Sequence, residues 1–265
     1  MFAEKSSLIV TGVARSGTTA LGELFNAHPD ICLGIERFKF QYLLAGNYSR
    51  DLFEKDRFFD FREEDTNLDP AKRPVWKPVY DEIVRKWDKA RIIGDKVPDL
   101  LPHLPDFMTQ NPDFRYVCIL RNLKDVALSW QKRADKPRDS WPRAKGFAAA
   151  CQSWEDQYHG LHDMMGNRDL RRKVLLLDYD SMYLKPEQTA AAILSFLGLE
   201  PDEGFTKTLH DHAAFFAAKR ATKVPEAMQG IYRAVKQGYI RGLRKIASEQ
   251  MMTLSDAFAA RNTSG

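Results

Sequence analysis

The chain has 265 residues, 44% hydrophobic and 29% charged, a length and composition that favour one large α/β domain in a soluble globular protein. Its formal net charge of +4 is too modest to suggest a nucleic-acid partner by itself. The longest early apolar run, around residues 8–10, is far shorter than the roughly 20 residues of a membrane-spanning helix. Neither a membrane span nor an export signal is therefore predicted.

Strands and helices are predicted to alternate along most of the chain. Apolar runs typical of buried strands occupy residues 7–12, 91–94, 114–120 and 173–179. Apolar residues at helical spacing follow at 17–27, 126–130 and 186–197. This alternation predicts a parallel sheet covered by helices on both faces, with ligands bound at the carboxyl ends of the strands.

Two regions interrupt this alternation. Residues 36–87 are rich in aromatic and charged side chains and have no clean strand period, and residues 136–143 have the composition of a loop. We expect these segments to shape a ligand pocket. Residues 225–258 show helical spacing again, which predicts helices that close the carboxyl terminus.

These patterns predict a single domain over residues 1–265, with a core at about 1–205 and a basic loop and helices at about 206–265. The chain has three cysteines whose odd number and spacing do not suit metal ligation, namely Cys32, Cys118 and Cys151. They are expected to be reduced thiols of a cytoplasmic protein. The paired histidines have no cysteine or third ligand at suitable spacing, so no metal site is predicted.

The stretch GVARSGTTAL, residues 12–21, has the glycine spacing of a GxxxxGK[ST] phosphate-binding loop, but Thr18 stands where the lysine would be. Between a strand and a helix, the backbone N–H groups of Ser16, Gly17, Thr18 and Thr19 form an anion site, and Arg15 adds a guanidinium. Without the lysine, and with no evident acidic strand end for magnesium, the loop favours a nucleotide with a single 5′-phosphate group over a triphosphate.

Three segments together carry a family resemblance. GVARSGTTALGELFNAHPDICLGIER resembles the 5′-phosphosulfate loop and following helix of sulfotransferases that use 3′-phosphoadenosine 5′-phosphosulfate (PAPS), nearest to the tyrosylprotein and bacterial carbohydrate branches. YVCILRNLKDVALSW resembles their 3′-phosphate motif, with Arg121 and Ser129, and VLLLDYDSM resembles the strand that carries an aromatic residue, here Tyr179. The segments span residues 7 to about 198 in the family's order. The resemblance implies a P-loop NTPase-like sulfotransferase fold.

The same resemblance implies catalytic roles. Arg15 corresponds to the loop cation on the 5′-phosphosulfate, Lys96 to a lysine at the mouth of the site, and Glu36 to the catalytic glutamate of the tyrosylprotein branch. The cytosolic branch places a histidine base two residues after the lysine, where this chain has Pro98, which cannot accept a proton. Glu36 is therefore the predicted base, and His103 is the alternative.

A late basic segment is the candidate for closing the 3′-phosphate site. The cytosolic branch uses an Arg-Lys-Gly motif there, which this chain lacks. Lys219, Arg220 or Lys223 could take its place, and the sequence does not choose among them. The basic residues between 233 and 245 either face an anion or form a solvated helix face.

Structural roles are the alternatives for three site residues. Arg121 could form a surface ion pair with Asp125, and Ser129 could hydrogen-bond its own helix backbone. Glu36 could pair with a cation next to it, at position 37 or 39, on a surface helix.

The resemblance implies an enzyme that transfers a sulfuryl group from PAPS to the hydroxyl of a carbohydrate or a small alcohol or phenol, and the cysteines favour a cytoplasmic location for it. The other product would be 3′-phosphoadenosine 5′-phosphate (PAP), and no metal is implied. A nucleotide kinase or other NTPase on a related fold is one alternative, and a PAP- or PAPS-binding protein without catalysis is another. The acceptor and the oligomeric state are left open.

Overall fold

The structure is a computed structural model that describes residues 5–218 and 222–263. A parallel sheet contains the strands β1 (Ser6–Thr11), β2 (Ile31–Ile35), β3 (Ile92–Lys96), β4 (Arg115–Leu120) and β5 (Val174–Asp178). Their spatial order is β2-β3-β1-β4-β5. In the register, Val10 of β1 pairs with Lys96 of β3, and Thr11 pairs with Cys118 of β4. All carboxyl ends therefore meet at one edge of the sheet.

The described residues form thirteen α-helices. The helices are α1 (Thr18–Ala27), α2 (Lys39–Leu43), α3 (Lys55–Phe59), α4 (Lys77–Lys86), α5 (Leu104–Gln110), α6 (Leu123–Ala134), α7 (Phe147–Met165), α8 (Arg168–Arg171), α9 (Tyr179–Leu184), α10 (Pro186–Leu197), α11 (Glu203–Ala217), α12 (Gln229–Ala234) and α13 (Gly238–Thr263). Short 3₁₀ turns span Arg50–Phe53, Pro74–Trp76, Leu101–His103 and Glu226–Met228. Within the described ranges, no helix is long and apolar enough to cross a membrane.

The predicted parallel sheet and helical carboxyl terminus are confirmed, and each of the four predicted strands is present. The strand β2 was not predicted. All five of its residues are buried, so its sequence ICLGI is one short apolar run without alternation. Such a run is ambiguous between a strand and a buried helix end. The aromatic region 36–87, for which no strand was predicted, contains the helices α2, α3 and α4.

Side chains of β1 supply the core on both faces of the sheet, because successive residues of a strand point to opposite sides. Leu8 and Val10 pack with the apolar residues of α1, α10 and α11. Ile9 belongs to the other cluster, which includes residues of α5, α6, α7 and α13. The two layers hold the central strand rigidly, and with it the loop that follows β1.

The long helix α13 protects the edge strand β5. Gln250 of this helix accepts a hydrogen bond from Leu176 N at 3.0 Å and donates one to Val174 O at 2.7 Å. These bonds occupy backbone groups that an edge strand would otherwise offer to another chain. The carboxyl-terminal helix is thus an integral part of the sheet's packing.

Replacing Gly94 in β3 should destabilise the fold. A Cβ at this position would lie 2.0 Å from the carbonyl oxygen of Leu8 in the adjacent strand. Gly94→Ala should lower the free energy of unfolding, measured by urea denaturation, by about 1–3 kcal/mol or more. Gly160→Ala is the matched control, since a Cβ on this residue of α7 meets no atom within 4 Å and alanine favours helix. Equal stability of Gly94→Ala and wild type would contradict the packing described.

Candidate active site

The loop between β1 and α1 depends on two glycines. A Cβ at Gly12 would lie 2.7 Å from both the Ile119 carbonyl oxygen and Ser16 Oγ. Gly17, the N-cap of α1, has a left-handed φ of 108°, and a Cβ there would lie 2.8 Å from the Tyr179 ring. The glycine spacing seen in the sequence therefore lets the loop pass closely between β4 and α9.

The N–H groups at the amino terminus of α1 are able to bind an anion. The helix begins at Thr18 without a side-chain cap and without an acidic residue in its first turn, so its positive end is not compensated. The N–H of Ser16 instead donates to Val13 O at 3.0 Å. Ser16 Oγ is buried and has no hydrogen-bond partner, so this residue would reach an anion through its hydroxyl.

The motif residues from three separate segments lie together. Arg15 Nε donates to Ser129 Oγ at 3.2 Å, and a terminal nitrogen of Arg121 donates to Arg15 O at 2.9 Å. The Arg121 guanidinium stacks on the Tyr179 ring, 4.1 Å from its centroid. The alternative ion pair with Asp125 is present at 3.5 Å, but Arg121 Nε is buried without a partner. Arg121 therefore keeps a donor for a bound anion.

The site concentrates positive charge around Arg15. Partial desolvation lowers the pKa of Arg15, and the guanidinium groups of Arg133 and Arg121 lower it further, while Asp139 and Glu36 oppose them. A phosphate or sulfate group would relieve this repulsion. Sequence reasoning missed Arg133, although it lies one helical turn after Ser129 and pairs with Asp139.

An acidic residue that the sequence analysis missed fixes the loop. Asp99, with a left-handed φ of 60°, accepts hydrogen bonds from Ala14 N at 2.7 Å and Gln157 Nε2 at 3.0 Å. Its own N–H donates to Gly12 O at 2.9 Å. Asp99 thus ties the loop to the segment after β3 and to α7. The only sequence signal is an acid three residues after Lys96.

Glu36 and Lys96 form an ion pair at the carboxyl ends of β2 and β3. Lys96 Nζ lies 3.2 Å from Glu36 Oε1. The Lys96 side chain is 1% exposed and the Glu36 side chain is 16% exposed. Lys39 Nζ, 2.8 Å from Glu36 Oε2, is the neighbouring cation that the structural alternative required. Glu36 nevertheless directly follows a buried strand and does not lie on a surface helix, and Arg37 is buried against Asp65.

The Glu36 carboxyl group is ionised at neutral pH. Burial alone would raise its pKa, but the ammonium groups of Lys96 and Lys39 outweigh burial and lower it. A carboxylate that is ionised and partly desolvated is able to accept a proton from a bound hydroxyl. The electrostatic interaction of Glu36 with Arg15 links this pair to the loop.

The remaining predicted residues are less closely tied to this centre. His103 Nδ1 lies 3.1 Å from the Tyr48 hydroxyl, on the 3₁₀ turn before α5. Lys223 is exposed, and Lys219 and Arg220 lie outside the described residues. In residues 5–218 and 222–263, no group of three or more histidines, cysteines and acids is arranged to hold a metal ion.

Residues 7–203 match the sequence model of the sulfotransferase family. The chain belongs to this family. Family membership is consistent with sulfuryl transfer, and it confirms the resemblance that the three motifs predicted.

The relatives are distant. The protein-tyrosine sulfotransferase 2 of Gallus gallus is 25% identical over 202 residues, which cover 74% of this chain and 52% of the relative. The protein-tyrosine sulfotransferase 1 of Danio rerio is 24% identical over 194 residues, covering 72% and 53%. The chain thus spans about half the length of the curated relatives it matches.

A solved sulfotransferase from Mycobacterium tuberculosis is similar in fold. Its TM-score is 0.50 and its identity 20%, and the match covers 79% of this chain and 72% of the other. The predicted P-loop-like sulfotransferase fold is confirmed.

The pKa of Glu36 should rise when Lys39 is removed. Lys39→Met deletes one of the two ammonium charges that lower this pKa, so the carboxyl group should titrate at higher pH. Carbon-13 NMR of the side-chain carboxyl, assigned by comparison with Glu36→Gln, measures the midpoint. Lys207→Met removes a surface ion pair with Asp211 and serves as control. An unchanged Glu36 midpoint in Lys39→Met would refute this electrostatic description.

Proposed function

We propose that this protein transfers a sulfuryl group from PAPS to an acceptor hydroxyl and releases PAP. The observation that carries the proposal is that the loop after β1 meets the Arg121 and Ser129 motif at Arg15. The Arg15 side chain donates a hydrogen bond to Ser129, and the Arg15 backbone oxygen accepts one from Arg121. The sulfotransferase family supports sulfuryl transfer as the reaction.

Two sets of residues could bind a nucleotide that carries phosphates at separate positions. The uncapped amino terminus of α1, with Arg15 and Ser16, would hold the 5′-phosphosulfate. Arg121 and Ser129 would hold the 3′-phosphate, because both are hydrogen-bonded to Arg15 from outside the loop, Arg121 at the end of β4 and Ser129 on α6. The Tyr179 ring, between Gly17 and Arg121, offers a flat apolar surface next to both sets.

The described residues could perform the transfer in one in-line step. Glu36 accepts the proton of the acceptor hydroxyl while that oxygen forms a bond to sulfur. The bond between sulfur and the 5′-phosphate oxygen breaks, and its electron pair stays on the phosphate. Arg15 and the N–H groups of α1 stabilise this charge, and Lys96 stabilises the sulfuryl oxygens beside Glu36. The products are a sulfate ester, PAP and protonated Glu36.

The acceptor class is proposed as a carbohydrate or a small alcohol or phenol. Because the curated relatives are protein-tyrosine sulfotransferases, a tyrosine side chain belongs among the phenols to be tested. The region 36–87 contains Glu36 and its partner Lys39, and the loop 136–143 contains Asp139, which pairs with Arg133, so these segments would shape this pocket. The cytoplasmic location expected from the sequence stays a prediction.

PAP should stabilise the protein without magnesium. A ligand that binds only the folded state at about 100 times its Kd adds about 2.7 kcal/mol to the free energy of unfolding. Thermal denaturation in EDTA with PAP should therefore show a higher Tm, and ATP at the same concentration should raise Tm much less. Equal or larger stabilisation by magnesium-ATP would favour a nucleotide kinase.

Arg121 and Arg15 should affect the two phosphates differently. Arg121→Ala should weaken PAP about 10- to 100-fold, since one charge-assisted contact contributes about 1.5–3 kcal/mol. It should weaken adenosine 5′-phosphosulfate, which lacks the 3′ group, much less, whereas Arg15→Ala should weaken both ligands. Ser129→Ala should lower PAP affinity less than Arg121→Ala. Calorimetric titration tests the assignment, which fails if Arg121→Ala weakens both nucleotides equally.

A panel of acceptors with ³⁵S-labelled PAPS tests the reaction itself. Oligosaccharides, phenols, tyrosine peptides and lipid alcohols should include an acceptor that becomes labelled. With that acceptor, Glu36→Gln should retain PAP binding and lose about 10²- to 10⁴-fold in turnover. Glu63→Gln, which alters an exposed pair with Lys72, is the matched control. Near-normal turnover of Glu36→Gln would remove Glu36 from the mechanism and make His103→Ala the next variant to test.

A further inference from the structure

A buried carboxylate binds the backbone that follows Glu36. Asp95, in β3, is fully buried. Its Oδ1 accepts a hydrogen bond from Arg37 N at 2.9 Å, and its Oδ2 accepts one from Phe38 N at 2.9 Å. Both oxygens therefore bind the two peptide groups that follow Glu36 in the chain.

Glu36 has a backbone conformation that needs such support. Its φ is 52°, in the left-handed region that non-glycine residues seldom occupy because it is strained. The N–H of Glu36 donates to Lys96 O at 2.8 Å, so β3 holds the turn on both sides of its strained residue. The turn is thus fixed by neighbouring residues of a single strand, Asp95 and Lys96.

This turn decides which way the Glu36 side chain points. Gly34 pairs with Asp95 and Ile35 with Lys96, so these pairs lie on opposite faces of the sheet. An extended residue 36 would point to the face of Asp95, away from Lys96. The left-handed turn instead brings the Glu36 carboxylate to within 3.2 Å of Lys96 Nζ.

We propose that Asp95 is a positioning residue for Glu36: by accepting both following N–H groups, it fixes the turn that places the carboxylate at Lys96. The inference rests on the proposed function, in which Glu36 is the base. It assigns to Asp95 no contact with the nucleotide or the acceptor.

The surroundings of Asp95 keep both oxygens available as acceptors. Burial raises the pKa of Asp95 to about 6. The two backbone N–H groups and the cations Lys96 and Arg37 lower this pKa, but burial outweighs them. Asp95 is therefore ionised above neutral pH. The buried hydroxyls of Tyr42 and Tyr80 also interact electrostatically with Asp95. They stay neutral because burial raises their pKa.

The side chain of Arg37 anchors the far side of the same turn. It is buried, pairs with Asp65 at 2.8 Å, and donates to Phe58 O at 2.7 Å and Asp60 O at 2.6 Å. With this anchor in place, losing one bond to Asp95 should tilt the turn without unfolding the region. Asp95→Asn is the suitable change, since asparagine keeps the shape but offers only one acceptor oxygen.

The test is a double-mutant cycle of Asp95→Asn and Glu36→Gln. With PAPS and the acceptor labelled best in the panel, Asp95→Asn should lower kcat about tenfold or more, and PAP affinity should stay within about twofold. The double variant should have the kcat of Glu36→Gln alone, because Asp95 acts only through Glu36. Thr189→Val, which removes a buried hydrogen bond to Met182 O away from the site, should leave both quantities unchanged.

Two results of these measurements on the variants would overturn the proposal. A multiplicative loss of kcat in the double variant would show that Asp95 acts independently of Glu36. A parallel loss of PAP affinity in Asp95→Asn would show a general structural role. If the wild-type protein transfers no sulfuryl group at all, the proposed function fails, and the geometry is then judged from a crystal structure of Asp95→Asn. An unchanged Glu36 φ and an unchanged Glu36–Lys96 distance would reject positioning by Asp95.

If Asp95→Asn does not fold, wild-type NMR decides. The amide resonances of Arg37 and Phe38 and the carboxyl resonance of Glu36 should all shift with the titration midpoint of Asp95. Amide resonances that do not follow this midpoint would contradict the proposal.

Discussion

The parallel pairing of β1 between β3 and β4 is the constraint on which the site depends. Since Val10 pairs with Lys96 and Thr11 with Cys118, the loop after β1 has the end of β3 on one side and the end of β4 on the other. Lys96 and Arg121 are therefore brought to opposite flanks of one loop. Hydrogen bonds of Asp99 and Arg121 to the loop backbone then fix it from both sides.

Arg15 combines burial with repulsion by neighbouring cations. Desolvation is the largest effect that lowers the pKa of Arg15, and the guanidinium groups of Arg133 and Arg121 lower it further, while Asp139 and Glu36 oppose them. On the other flank, Lys96 is almost fully buried, and its charge is compensated by Glu36. In the proposed function, the loop half of the site binds the anionic nucleotide and the half with Glu36 accepts a proton. Family membership is consistent with sulfuryl transfer.

Local sequence patterns predicted the strands β1, β3, β4 and β5 and the loop, because apolar runs and glycine spacing are local signals. The resemblance singled out Arg15, Glu36, Lys96 and Arg121, and the structure brings these residues to the same edge of the sheet.

Asp95 and Asp99 were not predicted because their partners are distant in the chain. Asp95 binds an N–H 58 residues away, and Asp99 binds one 85 residues away. A lone aspartate in a sequence carries no sign of such a contact. The left-handed φ of Glu36 was equally hidden, since left-handed backbone is predicted mainly from glycine or asparagine.

A crystal structure of the protein with PAP would show where each phosphate binds. We expect the 5′-phosphate at the amino terminus of α1, in contact with Arg15 and Ser16 Oγ, and the 3′-phosphate between Arg121 and Ser129. Glu36 and Lys96 should then face the open side of the 5′-phosphate. A nucleotide bound with its 3′-phosphate in solvent, or with its 5′-phosphate away from this loop, would rule out both phosphate assignments.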